Sequence, residues 1–401
     1  MPSPAAIGLA DYLFKKIAKS KGISRLFWLA VVTAIAVVAF GGVGPLMDKL
    51  KSGLPAAVQD SIKQELPELG QHLPGSATAT TGGPIQVYFT DPTGSQSEKD
   101  FAAKACVAYI DAAKVSIDVA AFELDNAVIT DALVRAAKRG VIVRLVTDTD
   151  YLQESGVIAL RGAGVPVLDD KRDALMHNKF MVFDKKAVWT GSMNFTENCA
   201  YKNNNHGLYI ESVELAANYS TKFRWMFEEA DFGARSGFFK RDKIPNPVVK
   251  FADGTVVESY FSPDDRIAGK VVALVGEARQ SVDFLAFSYT HAAIGKAMID
   301  RGQTGVKVRG VFEKSQAASS YSQFNRLSGA GFPVYLDANP RNMHHKMILI
   351  DGETTLAGSF NFSDSADKSN DENALIIRNN KAVGAKFAGE FKKVYEQAAA
   401  K

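Results

Sequence analysis

The chain has 401 residues, 46% apolar and 23% charged, with a net charge of +3. That length exceeds one ordinary domain, the composition is that of a globular protein, and two cysteines, Cys106 and Cys199, make no disulfide framework. Residues 1–50 carry +4, so the other 351 sum to −1, and the body shows no strongly basic nucleic-acid surface in its total charge.

In chain order, residues 1–25 form a basic segment with Lys15, Lys16, Lys19, Lys21 and Arg25. From Leu26 to Met47 there is no charged residue, and a helix of that length spans roughly 30 Å, enough for a bilayer core. Gly41, Gly42, Gly44 and Pro45 weaken its far end, and Trp28 suits the interface. A buried core helix and a cleavable signal peptide are the alternatives. The five preceding cations argue against the first, and the long basic region without a clear cleavage site argues against the second. Residues 26–47 are therefore read as a transmembrane signal anchor. Residues 1–25 then lie in the cytosol and the catalytic body outside it, periplasmic if the source is bacterial. Residues 48–84 end in PGSATATTGGP and read as a flexible linker. The two cysteines read as small buried side chains, with one bridge the alternative outside the cytosol.

The body repeats. Residues 116–148 and 281–313 follow the same pattern at an offset of 165: an apolar strand, an amphipathic helix, a turn at Gly140 or Gly305, and a Val-rich strand. The match resumes at RGAGVPV and SGAGFPV with an offset of 167. This predicts two α/β halves, residues 85–240 and 241–401, with parallel strands covered by helices, packed about a pseudo-twofold axis that brings equivalent positions together.

Each half then supplies the same polar set. MHNKFMVFDKKAVWTGSMNFT contains His177, Lys179, Asp184, Ser192 and Asn194, and MHHKMILIDGETTLAGSFNFS contains His344, Lys346, Asp351, Ser359 and Asn361. Alternation on a strand puts His177 with Lys179 on one face and His344 with Lys346 on one face, so that His345 points away from His344. Lysines neutralise phosphate oxygens, and Ser and Asn donate hydrogen bonds to them. One imidazole can attack phosphorus while the other protonates the leaving oxygen and later activates water. The scheme needs no metal or other cofactor, and neither cysteine lies in a zinc-like cluster with histidine. As residues that end a strand, Asp184 and Asp351 equally suit a structural role, satisfying backbone donors.

These two complete motifs resemble the phospholipase D superfamily signature, HxK(x)4D followed by GSxN, over roughly residues 85–400. The resemblance implies an α-β-α sandwich in each half and a two-step, metal-independent mechanism through a phosphohistidine. It implies His177 as nucleophile and places Lys179, Lys346, Asp184 and Asp351 in the catalytic set. It also implies a downstream acidic residue that orients a motif histidine. Glu372 fills that role in the second half, whereas the first half has Asn205, counted with the phosphate-binding residues. The two histidines are expected to titrate differently, with a general acid matched to Glu372.

The motif reads phosphodiester and not its substituents. The anchor and near-neutral body favour a phospholipid in the bilayer over nucleic acid, by hydrolysis or headgroup transfer. A membrane-anchored endonuclease and a non-catalytic phosphate- or lipid-binding module are the alternatives. No obligate protein partner is expected, because duplication supplies both histidines in one chain.

Overall fold

The computed structural model describes residues 84–92, 101–234 and 242–401, and within them the sequence repeat becomes two mixed sheets of one design. The first contains β1 (Ile85–Phe89), β2 (Ser116–Ala121), β3 (Ile142–Thr147), β4 (Val167–Asp169), β5 (Lys179–Phe183), β6 (Ala187–Gly191) and β7 (His206–Glu211), ordered β1-β7-β6-β5-β2-β3-β4. The second contains β8 (Val248–Lys250), β9 (Val256–Ser262), β10 (Ser281–Ala286), β11 (Lys307–Phe312), β12 (Val334–Leu336), β13 (Lys346–Ile350), β14 (Thr354–Gly358) and β15 (Glu372–Arg378). Its order, β8-β9-β15-β14-β13-β10-β11-β12, is the first sheet's with β8 added at one edge. The expected parallel pairing holds where a helix connects the strands, β2 to β3 and β10 to β11. The motif strands depart from it: β5, β6 and β7 are antiparallel, as are β13, β14 and β15. The three residues between β5 and β6 are too few for a crossover, so the chain must turn back on itself.

The helices are α1 (Phe101–Ala112), α2 (Ala127–Lys138), α3 (Ser155–Gly162), α4 (Glu197–Tyr201), α5 (Val213–Phe227), α6 (Ile267–Glu277), α7 (Ala292–Gln303), α8 (Lys314–Ala317), α9 (Phe324–Gly329), α10 (Asp364–Lys368) and α11 (Lys381–Ala399). Helix α2 shows why the repeat reads so clearly. Asn126 caps it by accepting the Ile129 N–H at 3.1 Å, and Ile129, Ala132, Leu133 and Ala136 form one buried stripe. It ends at Gly140, whose φ of +87° is open to glycine at little cost, and Gly305 repeats this at +94°.

Helices α1, α2 and α3 close a core on one face of the first sheet, and α6, α7 and α9 do the same on the second. A third core joins the two halves. There Tyr219 and Phe223 of α5 and Phe387 and Phe391 of α11 pack with Phe180 and Val182 of β5 and Met347 and Leu349 of β13. Strands β5 and β13 are thus buried on both faces, which is why they read as unbroken apolar runs. Each half has helices on both faces of its sheet, as expected, and the shared core makes the halves one unit. Cys106 and Cys199 are buried and unpaired, so the bridge alternative falls. The proposed anchor, residues 26–47, lies outside the described residues. Among the described residues no helix is long and apolar enough to cross a membrane.

Asp184 and Asp351, placed in the catalytic set by their position in the signature, bond to backbone instead. The Asp184 carboxylate accepts the N–H groups of Lys114, Val115 and Ser116 at 2.7–3.1 Å. Asp351 accepts those of Arg279, Gln280 and Ser281 at 2.7–3.2 Å. Both residues have left-handed backbones, φ +52° and +54°, a conformation Asp tolerates in turns. They tie the turn after the motif strand to the start of its neighbour. Burial opposes their ionisation, but the backbone donors outweigh it and hold both carboxyls below the usual range. Asp184→Ala and Asp351→Ala should each cost about 1–3 kcal/mol in urea unfolding, with KM unchanged. Since the folded-state values are depressed, this contribution is complete at neutral pH and is lost as pH falls through them.

Candidate active site

The motif histidines sit just before β5 and β13, at the seam between the halves, and their backbones are fixed across it. The His177 N–H donates to the Asp371 carbonyl at 2.9 Å, and the His344 N–H donates to the Asn204 carbonyl at 2.9 Å. The side chains cross in the same way. His177 Nδ1 lies 2.8 Å from Glu372 Oε2, and His344 Nδ1 lies 2.9 Å from Asn205 Oδ1. Each histidine is therefore oriented by the other half, and the two exchanges are equivalent, as a pseudo-twofold axis through the site requires.

The serines lock the orienting groups. Ser359 Oγ donates to Glu372 Oε2 at 2.7 Å and accepts the Asn373 N–H at 2.9 Å. Ser192 Oγ donates to Asn205 Oδ1 at 3.0 Å and accepts the His206 N–H at 3.1 Å. The Asn205 amide nitrogen donates to the Cys199 carbonyl at 3.0 Å. Ser192, Ser359 and Asn205 were expected to bind phosphate; their polar groups are instead engaged within the protein, holding the imidazoles. The motif glycines follow from the same crowding. A Cβ on Gly191 would lie 2.3 Å from the His206 carbonyl oxygen, and one on Gly358 would lie 2.4 Å from that of Asn373.

Lys179 and Lys346 share their histidines' surroundings. Each ammonium donates to the carbonyl of its own motif histidine, at 2.7 and 3.0 Å. Lys179 lies 4.9 Å from the ring centre of Phe122, which also packs edge-on against His177 at 4.8 Å. Phe287 does the same for Lys346 and His344, at 4.8 and 4.6 Å. These aromatic floors went unnoticed in the sequence, although Phe122 and Phe287 are equivalent in the repeat and directly follow β2 and β10. His345 points away from His344, as alternation predicts: its Nδ1 is 3.1 Å from His206 Nδ1 and its Nε2 is 3.1 Å from Glu390.

Burial dominates the electrostatics. It holds both histidines well below the usual imidazole value, and the charges of both lysines push the same way. Burial also brings Lys179 down to about 8, opposed first by Glu372, and holds Lys346 well below its ordinary value, with Lys179 adding to the effect. Glu372 is pushed up to about 8 by burial, with Lys179 the main counterweight. Because both lysines act on both histidines, the two motifs form one site. One expectation is reversed: Glu372 serves His177, the residue assigned as nucleophile, and not a separate general acid. Among the described residues no group of three or more His, Cys, Asp or Glu side chains is placed to hold a metal ion.

A family model described as "Cardiolipin synthase, PLD-like domain" matches residues 106–227 and again 271–395. A phospholipase D of Rickettsia prowazekii (strain Madrid E) is 33% identical over 125 residues, 31% of this chain and 61% of that protein. The Homo sapiens mitochondrial cardiolipin hydrolase is 35% identical over 120 residues, 30% of this chain and 47% of that protein. This chain thus spans less than two thirds of the length of either relative. The solved phosphatidylserine synthase of Haemophilus influenzae Rd KW20 shares the fold, with a TM-score of 0.57 at 15% identity over 78% of this chain and 86% of that one.

Two ammonium groups buried in one site are costly even with Glu372 and Glu123 acting on both, and a bound phosphate relieves that cost by raising the proton affinity of the groups around it. Titration calorimetry of inorganic phosphate at pH 8, repeated in buffers of different ionisation enthalpy, should therefore show net proton uptake on binding. Lys179→Met should reduce that uptake and weaken binding about tenfold or more.

Proposed function

The chain belongs to the phospholipase D superfamily, and on that footing we propose that it is a phosphodiesterase acting through a phosphohistidine on His177, with phospholipids as substrates. The observation that carries this reading is the crossed pair of histidines, one beside a carboxyl and the other beside an amide. His177 shares its Nδ1 proton with Glu372, which leaves the Nε2 lone pair for attack on phosphorus. The bond from Nε2 to phosphorus forms as the bond to the leaving oxygen breaks, and protonated His344 gives its proton to that oxygen. The ring of His177 becomes cationic in the adduct, and Glu372 takes up that charge. A water then gives a proton to His344 and attacks phosphorus, the bond to His177 breaks, and a phosphate monoester leaves. An alcohol in place of water gives headgroup transfer. Lys179 and Lys346 neutralise the phosphate oxygens throughout, and this phosphate charge restores the proton affinity that burial removes from His344.

The phospholipid assignment is supported by relatives named phospholipase D and cardiolipin hydrolase, together with the apolar segment 26–47. On this reading that segment anchors the enzyme in a bilayer, with the catalytic body outside the cytosol and its substrate in the same membrane. The full chain in detergent micelles with EDTA should release headgroup from phospholipid vesicles. His177→Ala and His344→Ala should each slow this by about 10³-fold or more. Cleavage of single- or double-stranded nucleic acid, abolished by both substitutions, would replace the substrate assignment. Phosphate binding without turnover of any diester would overturn the enzymatic reading.

A further inference from the structure

A second pair of crossings lies behind the first. The residue after each motif histidine and the residue after each orienting residue also meet across the seam. Beside His177 and Glu372, the Asn373 amide nitrogen donates to Asn178 Oδ1 at 2.9 Å. Beside His344 and Asn205, His345 and His206 meet at 3.1 Å through their Nδ1 atoms, with their rings parallel to within 1°. All four side chains are fully buried.

The surroundings of each pair fit its chemistry. Asn373 Oδ1 accepts from the Thr190 hydroxyl at 2.7 Å and from the Tyr219 hydroxyl at 3.2 Å. In the second half Ala357 and Phe387 stand at the corresponding places, and Glu390 of α11 lies 3.1 Å from His345 Nε2. Glu390 is itself paired with Lys393 at 2.7 Å. A carboxylate only accepts, so His345 carries a proton on Nε2, and in a neutral ring its Nδ1 is then an acceptor. His206 must therefore donate from Nδ1. Burial holds both rings toward the neutral form. One tautomer of each ring satisfies this chain of bonds from His206 through His345 to Glu390. It leaves His206 Nε2 bare and buried, with no partner among the described residues.

The pair grips the groups that hold His344. His345 directly follows His344, and its carbonyl accepts the N–H of Phe287, the floor of His344 and Lys346, at 2.9 Å. His206 directly follows Asn205. Its N–H donates to Ser192 Oγ at 3.1 Å, and its carbonyl accepts the Ser192 N–H at 3.0 Å. Ser192 in turn holds Asn205. The bond between the two rings thus ties the segment carrying His344 to the segment carrying its orienting residue. Asn205 offers His344 only a neutral hydrogen bond, about half as strong as one to a carboxylate, so His344 depends more than His177 on the pair beside it.

We propose that His206 and His345 are positioning residues for the general acid: the bond between them, oriented by Glu390, holds His344 where it can protonate the leaving oxygen. This rests on the phosphodiesterase reading above, in which His344 is that acid.

The test is a double-mutant cycle on two lipids that differ only in the leaving group. Phosphatidylglycerol loses an alcohol whose oxygen needs a proton; phosphatidyl-p-nitrophenol loses a phenolate that does not. Single-turnover release from vesicles is measured for the full chain as wild type, His206→Leu, His345→Leu, the double variant and His344→Ala. Each Leu substitution should slow glycerol release by at least about tenfold, because a small misplacement of a reacting group is costly, while p-nitrophenol release stays within about threefold of wild type. The double variant should be within about threefold of either single variant, because all three remove the same interaction. Equal losses on the two lipids, or no loss on either, would overturn the proposal; the first result would leave the pair as a support of the fold. A double-variant loss equal to the product of the single losses would also overturn it, since the two residues would then act independently. His344→Ala should slow glycerol release and spare p-nitrophenol release. If that control behaves so, any of these failures leaves the phosphodiesterase reading standing. If His344→Ala slows both alike or spares both, His344 is not the acid and the two readings fall together. Failure of the wild-type chain to release glycerol would likewise overturn both.

Discussion

Each active-site histidine is held by the half of the molecule that does not contain it, and the remaining features of the site follow from that exchange. Asp371 and Glu372 fix the backbone and ring of His177; Asn204 and Asn205 fix those of His344. A single half holds a histidine with no orienting partner, and an orienting residue with nothing to orient. The exchange requires the two sheets to meet in register, which is the work of the shared core built by α5 and α11. It also explains the backbone demands of the GSxN segments. Gly191 and Gly358 let β6 and β14 press against β7 and β15, so that each serine reaches the orienting residue next to it.

Within this symmetric frame the two sides have diverged in charge. Behind His177, the buried Asp371 carboxylate is met by Lys222 at 2.6 Å, by Arg172 and by the Gly233 N–H. Behind His344, the side-chain oxygen of the equivalent Asn204 accepts from the neutral Asn339 amide at 2.7 Å. A buried carboxylate needs such compensation, since stripping it of partners costs several kcal/mol. The side that carries a second carboxylate, Glu372, beside the histidine is thus also the side with the stronger cationic support. Such a division suits a nucleophile that becomes cationic as its adduct forms, opposite an acid whose proton must leave.

The duplication, the motif strands and the identities of both orienting residues were legible in the sequence because they recur at offsets of 165 to 167. The crossing was not. Sequence offset pairs His177 with His344 and Asn205 with Glu372, but says nothing about which of the second pair touches which of the first. That depends on the handedness of packing between halves, and it reversed the assignment of Glu372. Ser192 and Ser359 were misread for a related reason: a hydroxyl near a phosphate site suggests a donor to phosphate, and only the three-dimensional neighbours show it occupied. Asp184 and Asp351 lie in the signature yet at the far end of the motif strand, where position in a motif and position in space part company. Phe122 and Phe287 carry no polar atom and so gave no chemical signal, although they pack against both the lysine and the histidine of each motif.

The most direct test of this account is chemical. Turnover of a diester labelled with ³²P in the group left on the enzyme, quenched in base to preserve phosphohistidine, would be followed by peptide mapping of the labelled chain. The crossed site predicts label on His177 alone, with the adduct accumulating in His344→Ala when the leaving group needs no proton, and disappearing in His177→Ala. Label on His344, or turnover with no labelled histidine, would contradict the account.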